Sequence, residues 1–223
     1  MDQQLLKKAL AKFFGGLLVL ALLVFLPAWT PAYWQGWLFL CILFVPMLVV
    51  GAVLMVKSPA LLEKRLNAKE EQSEQKAVLA LSALMFLAAF VLAGLNFHFK
   101  WFVLPAWVSI AAAVVFLCGY ALYAEVMREN AYLSRTAEVQ ENQKVIDTGL
   151  YGVVRHPMYL STLLMFLSMP LVLGCVFSFG VMLFYIPLIA MRIRNEEQVL
   201  LEGLEGYADY RRKVKYKVIP FLW

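Results

Sequence analysis

Long uncharged stretches alternate with short polar ones along the chain. No Asp, Glu, Lys or Arg occurs between Lys12 and Lys57, between Lys76 and Lys100, between Lys100 and Glu125, or between Arg155 and Arg192. A bilayer crossing takes about 20 apolar residues, so each stretch is long enough for at least one. The stretch 13–56 is too long for one, and its middle holds Pro27, Pro31 and Gly36 among Trp29, Tyr33, Trp34 and Trp37. Turn formers beside interfacial aromatics predict two helices joined at the membrane surface. Residues 57–76 (KSPALLEKRLNAKEEQSEQK) carry five basic and four acidic side chains and read as a polar, partly helical connector. A third span is predicted over about 77–96 and a fourth over about 101–123, paired as an antiparallel hairpin because only residues 97–100 separate them.

Residues 125–155 are polar and cannot cross a membrane. The apolar run 157–191 would be about 52 Å long as a single helix, beyond the hydrocarbon core. Pro170 and Gly174 interrupt it near its centre, which predicts two shorter helices, at 158–172 and 176–191, folded as a hairpin. The expected fold is therefore all-α: a polytopic membrane protein with about six crossings, or five if the last hairpin is re-entrant. Residues 1–124 form its four-helix membrane region, and 125–223 a second region in which polar segments flank the C-terminal helical hairpin.

Composition agrees: 63% of the residues are hydrophobic and 16% charged, too apolar for a soluble domain of this size. With six crossings, Lys7, Lys8, Lys12, the 57–76 connector and the segments after 125 and 192 all lie on one side, and the other side has little basic charge besides Lys100. By the bias of basic residues, both termini and the long polar segments are expected to face the cytosol. The first apolar helix is longer than a signal-peptide core and is expected to be retained. Cys41, Cys118 and Cys175 make no CxxC or Cys/His cluster, so they read as small core residues with neither a disulfide framework nor a zinc site. His98 reads as an interfacial histidine, and Tyr210, Arg211, Arg212, Lys213, Lys215 and Lys217 as a basic cluster drawn to anionic headgroups.

Chemistry concentrates in two polar segments, 147–161 and 192–216, whose membrane-proximal ends the hairpin brings to one surface. The first contains GLYGVVRHPMY: glycines that permit close backbone approach, Pro157 to redirect the chain, and Arg155 and His156 as donors beside Tyr151 and Tyr159. In the second, helical spacing pairs Arg192 with Glu196, or Arg194 with Glu197. Alone, the first reads more readily as a helix start at headgroup level and the second as a solvated helix end. Their occurrence at the two ends of one hairpin favours a single site.

RHPMY, followed after a helical hairpin by RxRxEE and then YxxYxxxV, resembles the isoprenylcysteine carboxyl methyltransferase family and its phospholipid methyltransferase relatives, over residues 145–220. The resemblance implies a small membrane methyltransferase that holds S-adenosylmethionine near the cytosolic surface and receives a lipophilic acceptor from the bilayer. It makes 125–223 the methyltransferase region. Gly149, Leu150, Tyr151, Arg155, His156, Pro157, Tyr159 and Glu196 would bind the cofactor, and Arg192 and Glu197 would be the paired catalytic residues. The residues themselves are compatible: such a cofactor needs aromatic walls, donors and a carboxylate, and Tyr151, Tyr159, Tyr207 and Tyr210 supply the walls. No GxGxxG loop after a strand offers a soluble-type nucleotide site.

The stretch 201–207 reads LEGLEGY where the better-known members carry an FG pair before the tyrosine. That difference leaves the acceptor open: a carboxylate such as an isoprenylcysteine-type C-terminus, or a phospholipid or other amine for N-methylation. A small transporter or assembly factor would want ionisable residues within the spans, which hold essentially none. Membrane lipids and a lipophilic acceptor are the expected partners, without nucleic acid or metal. The expected membrane is a bacterial inner membrane, or the endoplasmic reticulum for a eukaryotic source.

Overall fold

Each uncharged stretch folds as helix, because inside a bilayer the backbone must satisfy its own polar groups. The computed structural model describes residues 3–67, 73–130, 132–133, 139–140 and 142–223, and among them no strand occurs. In chain order the helices are α1 (Gln3–Ala28), α2 (Trp34–Lys57), α3 (Pro59–Asn67), α4 (Ser73–Phe99), α5 (Ala106–Glu129), α6 (Pro157–Val172), α7 (Val176–Met182), α8 (Tyr185–Gly203) and α9 (Tyr207–Lys213), with a 3-10 turn at Gly149–Gly152. Five runs are long and apolar enough to cross a membrane: α1, α2, residues 76–99 of α4, α5, and α7 together with α8. The apolar helix α6 has 16 residues. At 1.5 Å per residue it is about 24 Å long, short of the hydrocarbon thickness.

Sequence neighbours are not always packing neighbours. The principal pairs are α5 with α6 and α1 with α4, while α4 also packs on α7 and α8. The expected α4–α5 hairpin is therefore not a principal packed pair. Pro105 holds the residue before it out of helical conformation, so α5 starts at Ala106 instead of near 101 and the turn between the two helices is longer than expected. The seam of α5 then closes on α6 at Gly119, where a Cβ would lie 2.9 Å from Met165 Cγ and 3.0 Å from the Ser161 carbonyl. Only glycine allows that approach.

The second arm of the last hairpin also differs from expectation. It breaks at Leu183 and Phe184 and then continues as helix to Gly203, well past residue 191. Pro187 explains the break: it has no N–H for the Leu183 carbonyl, and its ring crowds that carbonyl. The Ile186 N–H bonds Leu183 instead, at 3.1 Å. As a consequence Arg192, Glu196 and Glu197 project from a helix.

At the end of the bundle away from the polar segments, side chains from three other elements bond the carbonyls around the end of α6. Tyr33 donates to the Leu173 carbonyl at 2.6 Å, Asn96 to Gly174 at 3.3 Å and Ser109 to Leu171 at 3.2 Å. Asn96 also ties its own turn, donating to the Phe102 carbonyl at 3.0 Å and accepting from the Phe102 N–H at 3.1 Å. At the opposite end Val50 and Leu54 of α2 pack with Val126, Met127 and Tyr151, and Arg65 of α3 donates to the Tyr123 hydroxyl. The polar segments thus gather there. Cys175 is buried, whereas Cys41 and Cys118 are exposed on the outer face and are not core residues.

Candidate active site

The site is built where the start of α6, the far half of α8 and the segment after α9 meet. Arg155 and His156 lie just before Pro157, which begins α6 with an N–H that would be unsatisfied anyway. Their backbone N–H groups donate to the Tyr216 and Lys217 carbonyls at 3.0 and 2.8 Å. The Arg155 side chain adds bonds to the Val214 and Lys215 carbonyls at 2.7 and 2.9 Å and, through Nε, to Glu197 Oε1 at 2.7 Å. His156 Nε2 sits 3.2 Å from that same oxygen, and Lys217 Nζ 3.6 Å from Glu197 Oε2. Arg155, His156 and Glu197 are all buried. A buried carboxylate is tolerable only when paired and hydrogen-bonded, and here one carboxylate joins three segments of the chain.

The 3-10 turn is fixed by α5. Glu129 at the end of α5 accepts from the Leu150 N–H at 3.0 Å, and a Cβ on Gly149 would lie 1.5 Å from Glu129 Oε1. Gly149 also has φ +52, in the left-handed region. Behind the turn Tyr151 is held at both ends: Asn130 donates to its hydroxyl at 2.9 Å, and Tyr210 donates to its carbonyl at 2.8 Å. Burial pushes the Tyr151 hydroxyl up to about 12, so it stays protonated at neutral pH.

These elements enclose a cavity that opens to solvent. Its walls include Tyr151, Tyr159, Leu200, Leu204, Tyr207 and Tyr210, together with Asn130, Tyr132 and Lys144. At one end Tyr159 shares its hydroxyl between two partners from α8, donating to Glu196 Oε2 at 2.5 Å and accepting from Arg192 Nε at 3.0 Å. Among the described residues no group of three or more His, Cys, Asp or Glu side chains is arranged to hold a metal.

Of the residues singled out from the sequence, Tyr151, Arg155, His156, Tyr159, Arg192 and Glu196 line the cavity. Gly149, Leu150 and Pro157 do not line it; they shape its wall from behind. Glu197 is turned away, toward Arg155 and His156, so Arg192 shares Tyr159 with Glu196 and not with Glu197. Asn130, Tyr132 and Lys144 were not legible as site residues: they follow a span in a stretch with no motif, and only the fold carries them to the cavity, while Glu129 holds the 3-10 turn behind it.

Residues 107–205 match the family described as phospholipid methyltransferase, a stretch running from α5 to the end of α8 and so through most of the cavity. Over that stretch the chain is similar to this family. That family falls in the isoprenylcysteine carboxyl methyltransferase-like group of membrane methyltransferases, and with its five helices long and apolar enough to span, this chain is an integral, multi-pass membrane protein. For a phospholipid methyltransferase family member the implied methyl donor is S-adenosylmethionine. The chain is also similar to a Delta(14)-sterol reductase of Mus musculus, 30% identical over 91 residues, 40% of this chain and 22% of that protein. A Delta(14)-sterol reductase of Methylotuvimicrobium alcaliphilum is 24% identical over 135 residues, 54% of this chain and 32% of its own length. The matched parts are under a third of these relatives' lengths, at 22% and 32%.

Proposed function

We propose that the protein transfers a methyl group from S-adenosylmethionine, bound in this cavity on the cytosolic side, to a lipophilic acceptor drawn from the bilayer. The observation that carries this reading is the Arg192–Tyr159–Glu196 cluster, where both sequence segments converge at the end of the cavity nearest the spans. When bound, the cofactor supplies an electrophilic methyl on a sulfonium. Glu196 provides negative charge for a cationic group, Arg192 a planar guanidinium that orients a carboxylate, and the tyrosine walls exclude water. In-line displacement asks mainly for proximity and alignment. With a carboxylate acceptor, such as an isoprenylcysteine-type C-terminus, its oxygen forms the new bond to the methyl carbon as the sulfur–carbon bond breaks, leaving an ester and no proton to remove. Glu197 serves this chemistry as a positioning residue, through Arg155 and His156.

Amine N-methylation is the second reading. The family match is to phospholipid methyltransferases, and Glu196 at the reacting end suits a group that becomes cationic. The excess of basic residues on the site side supports a cytosolic orientation, in a bacterial inner membrane or in the endoplasmic reticulum of a eukaryotic source. Titration calorimetry on detergent-purified protein tests the cofactor. Micromolar binding that Glu196→Gln weakens at least about tenfold is expected, since charge-assisted contacts are worth about 1.5–3 kcal/mol. No binding to folded wild type would overturn the reading. Arg192→Lys then separates the acceptors: loss of methylation on carboxylates alone supports esterification, and equal loss on amines opposes it.

A further inference from the structure

The end of the bundle away from the candidate active site holds a recess, where the starts of α2 and α5 meet the turn before α5 and the link from α6 to α7. Gln35, Asn96, Lys100 and Gly174 are among its walls. Neighbouring polar groups are paired: Tyr33 bonds the Leu173 carbonyl, and Asn96 bonds the Gly174 and Phe102 carbonyls and the Phe102 N–H. Gln35 differs, because its Oε1 is buried and has no hydrogen-bond partner. Its amide lies against Gly174, where a Cβ would come within 3.1 Å of Gln35 Nε2. A buried acceptor without a donor is costly, so the recess suits a guest that brings one. The terminal torsion of a glutamine is soft, and a small turn presents Oε1 to such a guest.

The same recess is electropositive. The connections at this end, 29–33, 100–105 and 173–175, contain one charged residue, Lys100. Two helices of 24 residues also begin there; their caps, Tyr33 and Pro105, make no side-chain bond, and neither first turn contains an acid. The partial positive charge of both helix starts therefore adds to that of Lys100. Phe97 and Leu104 give the recess an apolar wall, and the exposed Trp34, Trp37 and Trp101 mark headgroup level. The matching guest is an anion that also carries a hydrogen-bond donor and an apolar part.

We propose that this recess binds an anionic, hydroxyl-bearing phospholipid from the leaflet opposite the candidate active site, with its phosphate against Lys100 and a headgroup hydroxyl donating to Gln35 Oε1. Its acyl chains pass over the apolar wall into the bilayer. Seated there, the lipid bridges the starts of α2 and α5 and the end of α6, and it takes no part in the chemistry at the other end.

The test is native mass spectrometry of the full chain in detergent, titrated with three lipids of matched acyl chains: phosphatidylglycerol, phosphatidylmethanol, which keeps the anionic phosphodiester without hydroxyls, and phosphatidylcholine. Wild type is expected to hold one phosphatidylglycerol about 5–30-fold more tightly than phosphatidylmethanol, the worth of one hydrogen bond, and phosphatidylcholine most weakly. Gln35→Leu should erase the gap between the two anionic lipids. Lys100→Gln should weaken both alike and leave the gap. Gln35→Glu, the same shape with a negative charge, should reject both, which keeps the test decisive if Gln35→Leu fails to fold. Equal affinity of wild type for all three lipids, or a gap that survives Gln35→Leu, would overturn the proposal. Competition by soluble glycerophosphoglycerol at concentrations matching the lipid would overturn the lipid as occupant in favour of a free phosphodiester.

Discussion

Arg155 Nε donates to Glu197 Oε1 at 2.7 Å, linking the start of α6 to α8 across 42 residues of sequence. The neighbouring Glu196 instead points into the cavity. Adjacent residues on a helix are about 100° apart, so two consecutive glutamates inevitably take different surroundings. Glu197→Ala leaves the buried guanidinium without its carboxylate and is expected to cost about 3–5 kcal/mol, read as a large fall in Tm in detergent. Glu196→Gln should hold Tm within a few degrees while weakening cofactor binding. Equal loss of Tm in both variants would refute the division.

Gly149→Ala should destabilise the 3-10 turn. The left-handed backbone costs a side chain about 1–2 kcal/mol, and Glu129 must swing aside, giving up its bond to the Leu150 N–H. Adding Glu129→Ala removes the crowding and leaves the backbone cost, so the double variant is expected to lose less than the sum of the singles. Strict additivity of the Tm changes would show that the two residues do not interact.

Asn96 at the opposite end holds the 100–105 turn and the end of α6 together. Replacing it with Leu leaves the Gly174 and Phe102 carbonyls without that donor, for an expected loss of about 1–3 kcal/mol. Cofactor affinity should be unchanged, because the cavity lies at the other end of the bundle. Calorimetry beside thermal unfolding checks both statements.

Alkaline pH should weaken the fold through the buried phenols. An unfolded tyrosine ionises near pH 10, whereas Tyr151 in the folded chain does so at about 12. Between those values the folded state holds the extra proton, so stability present below pH 10 is lost as pH rises toward 12. Thermal scans from pH 8 to 11.5 should show a shallower decline for Tyr151→Phe than for wild type. Parallel curves would mean that Tyr151 is solvated.

How much of this could be read beforehand differs between fold and site. Charge-free stretches locate helices because the bilayer forbids most other structures, and α1, α2 and α6 lie close to where the pattern puts them. Packing partners are set by contact surfaces such as Gly119 against Met165, which no hydropathy pattern encodes. Helical spacing of Arg192 and Glu196 is legible past residue 191, but that this turn continues the apolar arm as one helix to Gly203 is not, because hydropathy changes there while the backbone hydrogen bonding does not. RHPMY and RxRxEE converge as expected, but which glutamate faces the cavity depends on the helical phase that Pro187 resets. Asn130 and Lys144 reach the cavity through tertiary structure alone.

The shortness of α6 also bears on how the protein is made. At 16 residues it is a weak signal for entering the membrane by itself, whereas the run formed by α7 and α8 is long enough to be accepted. Insertion of α6 therefore waits for the helices that follow, and the pair goes in together as one unit. Tyr159 and Arg192 ride on opposite arms of that unit, and Arg155 closes only on the carbonyls of Val214 and Lys215. During synthesis the chain thus has no complete cavity until these late segments emerge, so a stalled or truncated product sits in the membrane as an inert bundle.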